Sequence, residues 1–213
     1  MKKAVIFDLD GTMWDSSEAV TAAYNISLEK QGIPLRFTVA DIQAAMGKTM
    51  TEIAHMYFDP IDPQRAVEIM TGCIDEENDY LISHSGVTYP CLEDTLKELR
   101  SRGWFLACVS NCQSGYIEAF YAATGLGHLF DDKECWGGTG LSKADNIRIV
   151  AKRNGLDKVV YIGDTRGDYD SAMMAGVEFV HASYGYGGVP EGTPKISNLS
   201  ELPGILEKPG SFT

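Results

Sequence analysis

The first residues that could carry out chemistry are two aspartates near the start of the chain. An uninterrupted apolar run, Ala4 to Phe7, is followed by Asp8, Leu9 and Asp10. Side chains alternate between the two faces of an extended strand, so Asp8 and Asp10 should point the same way. Two neighbouring carboxylates repel each other, and a bound divalent cation relieves that repulsion. The pattern predicts an acidic, metal-binding site at the end of the first strand.

Further polar groups follow later apolar runs of the same kind. Ser110 and Asn111 end the second run, and Asp164 and Asp168 follow the third. Lys143 lies between them, ahead of a helical pattern. Continuous apolar runs are typical of parallel strands that are buried on both faces. Because functional residues gather beyond the carboxyl ends of such strands, we expect these side chains to share one site.

In chain order these residues are an acid pair, a hydroxyl, a lysine and a second acid pair. That order resembles the four motifs of the haloacid dehalogenase superfamily of aspartyl-phosphate phosphatases. The resemblance covers nearly the whole chain, because Tyr89–Pro90 and residues 126–131 also resemble its phosphoglycolate-phosphatase-like branch. The sequence departs from the commoner family pattern at Ala144, which follows the lysine where proline is usual.

Phosphoryl transfer requires an in-line nucleophile, neutralisation of the phosphate charge, and an acid for the leaving oxygen. We interpret Asp8 as the nucleophile, because a carboxylate can form a covalent aspartyl-phosphate. Asp10 would protonate the leaving oxygen and then take a proton from the attacking water. For this its side chain has to stay off the metal, so its backbone carbonyl is the favoured ligand, as the resemblance also implies.

The expected cofactor is Mg²⁺, which takes oxygen ligands in near-octahedral geometry and usually keeps waters. The predicted ligands are Asp8, the Asp10 carbonyl and Asp164. Asp168 is a further ligand or orients a bound water. The alternative for Asp164 and Asp168 is a turn acid and a helix N-cap, and Asp168 could serve in both ways.

Phosphate binding is assigned to Thr12, Ser110, Asn111 and Lys143. The Ser110 hydroxyl and nearby backbone N–H groups could donate to phosphate oxygens. Lys143 would supply a point charge to the phosphate and offset the cluster of acids. Taken alone, Ser110 is equally typical of a turn cap and Lys143 of a solvated lysine. Thr12 is expected to hydrogen-bond beside the first acid pair.

Two basic residues are candidates for substrate specificity. Lys48 lies in a Gly-Lys-Thr-Met segment that resembles the specificity loop of this branch, where it could meet a substrate carboxylate or a second phosphate. An ordinary surface lysine is the equal alternative. Arg166 follows Asp164 and could reach the substrate or an acid neighbour.

Residues 16–82 differ from the rest of the chain, because they contain residues typical of helix starts and ends but no long apolar run. Four helices are predicted there: from Ser16 or Ser17 towards Gly32, from Thr38 to Gly47, from Thr49 or Thr51 to near Pro60, and after Pro63. The interval between Asp10 and Ser110 leaves room for this insertion, whereas the interval from Ser110 to Lys143 holds no second one. Within the resembled superfamily this arrangement looks like the subtype whose single cap follows the first motif.

Outside that insertion, helical and strand patterns alternate, which predicts a parallel sheet covered by helices. A short strand is expected at residues 134–137, a last strand at 178–182, a loop at 185–190, and a short helix followed by a fraying tail. The predicted fold is α/β, with a three-layer Rossmann-like parallel-sheet core of residues 1–15 and 83–213. Residues 16–82 would form an inserted small helical cap domain.

Composition narrows the classes of partner. The chain has 213 residues, 44% of them hydrophobic, and a net charge of −12, which argues against nucleic acid and anionic membranes as partners. The apolar stretches are too short to span a bilayer, and Asp8 interrupts the one that could serve in a signal peptide, so we predict a cytoplasmic protein. Five cysteines without zinc spacing are interpreted as small buried residues. Oligomeric state stays open.

The predicted function is a Mg²⁺-dependent phosphatase of a small phosphorylated metabolite, either phosphoglycolate-like or a sugar phosphate. The main alternative is a β-phosphoglucomutase-like phosphomutase, which keeps all four motifs and passes the phosphoryl group to a second hydroxyl. Haloacid dehalogenation is disfavoured because it needs no metal, and therefore needs neither Asp10 nor the Asp164–Asp168 pair. A phospho-acceptor signalling domain is disfavoured because it lacks a helical cap and carries its acceptor on a middle strand.

Overall fold

The long apolar runs of the sequence form the strands of one parallel sheet. The structure, a computed structural model, describes residues 1–58 and 62–207. The strands described there are β1 Lys3–Phe7, β2 Trp14–Asp15, β3 Val87–Thr88, β4 Phe105–Ser110, β5 Asp132–Cys135, β6 Lys158–Gly163, β7 Glu178–Ala182 and β8 Lys195–Ile196. Six of them form a parallel sheet in the order β5-β4-β1-β6-β7-β8, and β2 pairs with β3 in a separate antiparallel ladder.

The first strand lies in the interior of the sheet, between β4 and β6. Phe7 at its end is opposite Cys108 of β4 and Ile162 of β6. The pairing extends one step further, since the Asp8 backbone N–H donates to the Ile162 carbonyl at 2.8 Å. As a result, the chain segments that follow β1, β4 and β6 leave the sheet side by side at one edge.

Ten helices are described, and two short 3₁₀ turns, Leu126–Leu129 and Leu199–Glu201, accompany them. In chain order the helices are α1 Ser17–Lys30, α2 Val39–Ala45, α3 Met50–Phe58, α4 Pro63–Ser83, α5 Leu92–Ser101, α6 Tyr116–Thr124, α7 Trp136–Thr139, α8 Lys143–Arg153, α9 Arg166–Ala175 and α10 Leu202–Leu206.

Both faces of the sheet are covered by helices. Alternate side chains of β1 point to opposite faces, and Ala4, Val5, Ile6 and Phe7 are all fully buried. The face of Val5 and Phe7 packs with apolar residues of α5, α6 and α10. The face of Ala4 and Ile6 packs with apolar residues of α8 and α9. The predicted three-layer α/β core is confirmed.

Helices α1–α4 lie between β2 and β3, close to where the sequence predicts them. The Thr38 hydroxyl accepts from the Asp41 backbone N–H, and the Asp41 carboxylate accepts from that of Thr38, which forms the expected capping box. The expected helix end near Pro60 and the expected fraying tail lie outside the described residues. The division into a core and a cap domain of residues 16–82 stays a prediction.

The short strand expected at residues 134–137 lies two residues earlier, at Asp132–Cys135. A Cβ on Gly137 would lie 2.1 Å from the Ser114 backbone nitrogen, so the backbones there approach more closely than any other residue allows. The Gly137 N–H donates to the Cys112 carbonyl at 3.0 Å, and the chain turns into α7 instead of continuing the strand. Lys143, expected ahead of a helix, is the first residue of α8.

No helix in the described part of the chain is long and apolar enough to cross a membrane.

The packing of β4 between the two helical layers gives a stability prediction. Leu106 is 0% exposed, whereas Leu141, before α8, is 44% exposed. We expect Leu106→Ala to lower the free energy of unfolding by about 2–5 kcal/mol, because it removes buried methyl groups and leaves a cavity. The same substitution at Leu141 should change it by less than about 0.5 kcal/mol. Urea unfolding monitored by circular dichroism measures both, and equal losses would contradict the assignment of Leu106 to the core.

Candidate active site

Three buried aspartates meet where β1 and β6 end. Asp8 directly follows β1, Asp164 directly follows β6, and Asp168 lies in the first turn of α9. One carboxylate oxygen from each of the three lies within 4.8 Å of the others. The sheet register produces this arrangement, because β1 and β6 are neighbours and end together. The structure thus brings together three of the four aspartates predicted to hold a metal.

A buried lysine joins two of these acids. The Lys143 Nζ donates to Asp8 Oδ1 at 2.9 Å and to Asp168 Oδ1 at 2.5 Å, and all three side chains are buried. The other Asp168 oxygen accepts from the backbone N–H and hydroxyl of Thr165, which caps α9. The N-cap of α9 is thus Thr165, and Asp168 takes part in the cap three residues later, as the acid of the capping box. Its role as a metal ligand stays a prediction.

The electrostatics of the cluster show an excess of negative charge. Burial, and then the charge of Asp168, raise the pKa of Asp8 well above its usual range, while Lys143 opposes the shift. The same two causes raise the pKa of Asp164 to about 7. Burial alone would lower the pKa of Lys143, but the charges of Asp168 and Asp8 outweigh it and raise it. One lysine thus faces three acids, and a bound cation would balance the remaining negative charge.

The carboxylate of Asp10 lies in different surroundings from that of Asp8. Its Oδ1 accepts three hydrogen bonds, from Trp14 Nε1 at 2.9 Å, Ser16 Oγ at 2.7 Å and the Tyr116 hydroxyl at 2.8 Å. Burial raises the pKa of Asp10, and these hydrogen bonds oppose the shift. The Asp10 carboxylate is not a member of the acid cluster. The three residues that donate to this oxygen hold it in place without a formal positive charge.

A loop after β7 completes the surroundings of Asp164. The Tyr186 backbone N–H donates to Asp164 Oδ2 at 2.7 Å, and the His181 Nε2 lies 3.1 Å from the Asp164 carbonyl. Gly11 has a φ of +78°, and a Cβ there would lie 2.3 Å from Asp164 Oδ2. A Cβ on Gly185 would be equally close to the Asp164 Cβ, at 2.3 Å. Glycines 11 and 185 therefore allow two backbone segments to enclose this carboxylate.

Thr12 is placed against the second acid pair instead of the first. Its hydroxyl donates to Asp164 Oδ1 at 3.4 Å, whereas the sequence led us to expect a bond beside Asp8 or Asp10. The difference arises because residues 9–14 form a tight turn after β1, in which the Met13 N–H donates to the Leu9 carbonyl at 2.8 Å. That turn carries Thr12 towards the end of β6.

The residues after β4 lie beside Asp10. Ser110 is buried, and its Oγ accepts from the Cys112 backbone N–H at 3.4 Å. The Asn111 Nδ2 donates to the Gly47 carbonyl at 2.9 Å, which connects this loop to the segment between α2 and α3. Contact of Ser110 and Asn111 with phosphate stays a prediction, and the Asn111 amide nitrogen already has a protein partner.

The two specificity candidates differ in position. Lys48 is exposed and lines the same cavity as Asp10 and Ser110. Arg166 is not among the residues lining that cavity; its Nε donates to Asp170 at 2.9 Å, and its guanidinium lies 5.8 Å from the centre of the Tyr169 ring. Of the two alternatives for Arg166, the contact with an acid neighbour is the one observed.

A cavity of about 60 Å³ opens between helices α1–α4 and the sheet edge. Its polar wall includes Asp10, Ser110 and Tyr116 from the sheet side and Glu77 from α4. Its apolar wall is contributed by Val20, Ile42, Ala45, Met46 and Ile53. Sequence reasoning did not single out Tyr116 or Glu77, because neither belongs to one of the four motifs.

Comparison with known proteins agrees with the fold. Residues 5–182 match the family of haloacid dehalogenase-like hydrolases, and the chain belongs to that family. The phosphoglycolate phosphatase of Pseudomonas fluorescens is 30% identical across all of this chain and 83% of its own. The phosphoglycolate phosphatase of Cereibacter sphaeroides is 29% identical, over 96% of this chain and 97% of its own. The expectation of a hydrolase acting on phosphoric monoesters is confirmed at this level.

Solved structures support the fold in the same way. A haloacid dehalogenase-like family hydrolase from Streptococcus pneumoniae superimposes with a TM-score of 0.78, covering 97% of this chain and 99% of that one at 21% identity. At that identity the likeness concerns the fold alone.

The charge balance at Lys143 gives a second prediction. In metal-free protein at pH 8, Lys143→Met should lower the free energy of unfolding by about 3–5 kcal/mol, because it leaves buried acids without their cation. The loss should be smaller at pH 5, because the raised pKa values of Asp8 and Asp164 mean that both take up protons as the pH falls.

Urea unfolding in EDTA at the two pH values measures this loss. Lys152→Met, at an exposed position later in the same helix, is the matched control and should have little effect. A Lys143→Met protein as stable as the control at pH 8 would rule out the charge-compensating role of Lys143.

Proposed function

We propose that this protein is a Mg²⁺-dependent phosphatase that hydrolyses a small phosphomonoester through an aspartyl-phosphate on Asp8. The observation that carries the proposal is the position of Asp8, at the end of β1, paired with Lys143 and grouped with Asp164 and Asp168. The names of the curated relatives favour hydrolysis over the phosphomutase alternative.

The donor set fits magnesium. Asp8, Asp164 and Asp168 offer hard carboxylate oxygens in one cluster, and we assign the Asp10 carbonyl as a further ligand. The single lysine leaves this cluster with an excess of negative charge, which a divalent cation would balance. When bound, Mg²⁺ would neutralise charge on the phosphate and favour the ionised form of the nucleophile.

Asp8 is the group we assign to attack phosphorus. Its Oδ1 is held by the Lys143 ammonium, which leaves Oδ2 to act as the nucleophile. The same ammonium can screen phosphate oxygens as they approach the acids. We also assign the Ser110 hydroxyl, at the end of the neighbouring strand β4, to donate to one of those oxygens.

Asp10 is the group we assign to protonate the leaving oxygen. Three donors share its Oδ1, so Oδ2 is the oxygen that can carry and deliver a proton. Burial raises the pKa of Asp10, which increases the protonated fraction that a general acid needs. After the alcohol leaves, the ionised Asp10 would accept a proton from the water that hydrolyses the aspartyl-phosphate.

Metal dependence gives a third prediction. EDTA-treated protein should not turn over p-nitrophenyl phosphate, Mg²⁺ should restore turnover, and Ca²⁺ should inhibit it. Calcium takes more ligands at longer distances than magnesium, so it would hold both oxygens of Asp8 and hinder attack. Release of p-nitrophenolate measures the rate, and full turnover by metal-free protein would contradict the proposal.

The two acids of the first motif give a fourth prediction. Asp8→Asn removes the nucleophile and should abolish turnover. Asp10→Asn keeps the nucleophile and loses the general acid and base, so turnover should fall about 10²–10⁴-fold. With an aryl phosphate the second half-reaction should be slowed more, because a good leaving group needs little protonation, and the phosphorylated protein should accumulate.

Intact-mass spectrometry after rapid quenching reads out this difference. We expect a phosphate adduct on the Asp10→Asn protein and none on the Asp8→Asn protein. Asp75→Asn, at an exposed position on α4, is the control and should behave like the unsubstituted protein. An adduct on the Asp8→Asn protein would place the nucleophile elsewhere.

A further inference from the structure

Glu77 is a buried acid that lies outside the acid cluster. It is on α4, is 4% exposed, and lines the same cavity as Asp10. A buried carboxyl group is costly unless its oxygens are hydrogen-bonded or it has a function. The proposed mechanism does not use Glu77, so its presence on the cavity wall needs a separate explanation.

The protein partners of Glu77 are neutral. Its Oε2 accepts from Gln113 Nε2 at 2.8 Å, and the Tyr24 hydroxyl also hydrogen-bonds to it. No lysine, arginine or histidine in the described residues forms an ion pair with it. Burial, and then the charge of Asp10, raise the pKa of Glu77 to about 8. The carboxyl group therefore has remaining hydrogen-bonding capacity and no protein cation beside it.

The helical side of the cavity wall offers little to attract an anion. Apart from Glu77 and Tyr24, the residues of α1–α4 that line it are apolar, and the one cationic residue of the lining within the described chain, Lys48, is exposed. The group bonded to the ester oxygen has to lie in this cavity if Asp10 protonates that oxygen. A carboxylate on that group would meet two acids, whereas a hydrogen-bond donor would find an acceptor.

We propose that Glu77 determines substrate specificity by accepting a hydrogen bond from a hydroxyl or ammonium group on the leaving alcohol. The substrate would then be the phosphomonoester of a small polyol or amino alcohol, in preference to that of a hydroxy acid. This inference rests on the proposed phosphatase function and adds the chemical class of the leaving group to it. A hydroxyl fits either protonation state of Glu77, because it both donates and accepts.

The test compares four esters with the Mg²⁺-loaded protein. Glycerol 3-phosphate carries hydroxyl donors, phosphoethanolamine carries an ammonium, 2-phosphoglycolate carries a carboxylate, and p-nitrophenyl phosphate carries no donor. We expect kcat/KM for at least one of the first two to exceed that for 2-phosphoglycolate. Which of the two is preferred distinguishes a hydroxyl from an ammonium.

Glu77→Met, which keeps the length of the side chain and removes both carboxyl oxygens, then identifies the residue responsible. The loss in kcat/KM for the preferred donor-bearing ester should exceed the loss for p-nitrophenyl phosphate by about 10–100-fold, mostly through KM. The ratio of kcat/KM for that ester to kcat/KM for 2-phosphoglycolate should also fall. Glu68→Met, at an exposed position on the same helix, is the matched control and should leave kcat/KM for all four esters unchanged.

Each outcome decides the question. If the unsubstituted protein prefers 2-phosphoglycolate to both donor-bearing esters, the assigned substrate class is wrong. If Glu77→Met lowers kcat/KM for all four esters equally, Glu77 has a structural role and the inference is overturned. Absence of Mg²⁺-dependent turnover with every ester, p-nitrophenyl phosphate included, would instead reject the proposed phosphatase function. The comparison of esters with the unsubstituted protein needs no variant, so misfolding of Glu77→Met cannot obscure it.

Discussion

The ion pairs of Lys143 with Asp8 and Asp168 are the interaction on which the rest of the site depends. Three buried carboxylates repel one another, and one buried ammonium is the protein's only counter-charge among the described ion pairs of the cluster. The arrangement requires β1 and β6 to end together and α8 to begin beside them, which sheet order and register provide. Compared with apolar side chains of similar volume, a buried ion pair of this kind contributes little net stability, since desolvation offsets attraction, although removal of one partner alone is costly. Its effect is to fix the direction of Asp8 while leaving the cluster short of positive charge.

The two carboxylates of the first motif, Asp8 and Asp10, differ in their chemistry because their neighbours differ. Burial raises the pKa of both Asp8 and Asp10. Asp8 is beside an ammonium and other acids, so a cation at the cluster would ionise it. Asp10 is held by neutral donors from Trp14, Ser16 and Tyr116, which fix its position without compensating a full charge. Separate surroundings for two acids are a general way to obtain a nucleophile and a proton donor at one pH.

What the sequence predicts well is local in origin. The strands of the sheet core follow from continuous apolar runs, and the capping box at Thr38 follows from two residues three positions apart. The contacts missed are between distant segments: Tyr116 with Asp10, Tyr186 with Asp164, and Gln113 with Glu77. Strand β5 lies two residues earlier than predicted, because the close approach of Gly137 to Ser114 depends on tertiary packing. The motifs therefore locate the acids and the lysine of the site, but not the distant residues that orient them, such as Tyr116 and Tyr186.

The acid cluster and the wall of the cavity beyond Asp10 are built from different parts of the chain, so one can vary without the other. The acid cluster is built from residues at strand ends and at the start of α8 and α9, where any change disturbs buried charges. The cavity beyond Asp10 is lined mainly by α1–α4, with Glu77 on α4, and by the segment around Gly47, which Asn111 contacts. A substitution on that wall would change the shape and polarity of the cavity without altering the ion pairs that hold Asp8. Members of one fold family can in this way keep one reaction while differing in substrate.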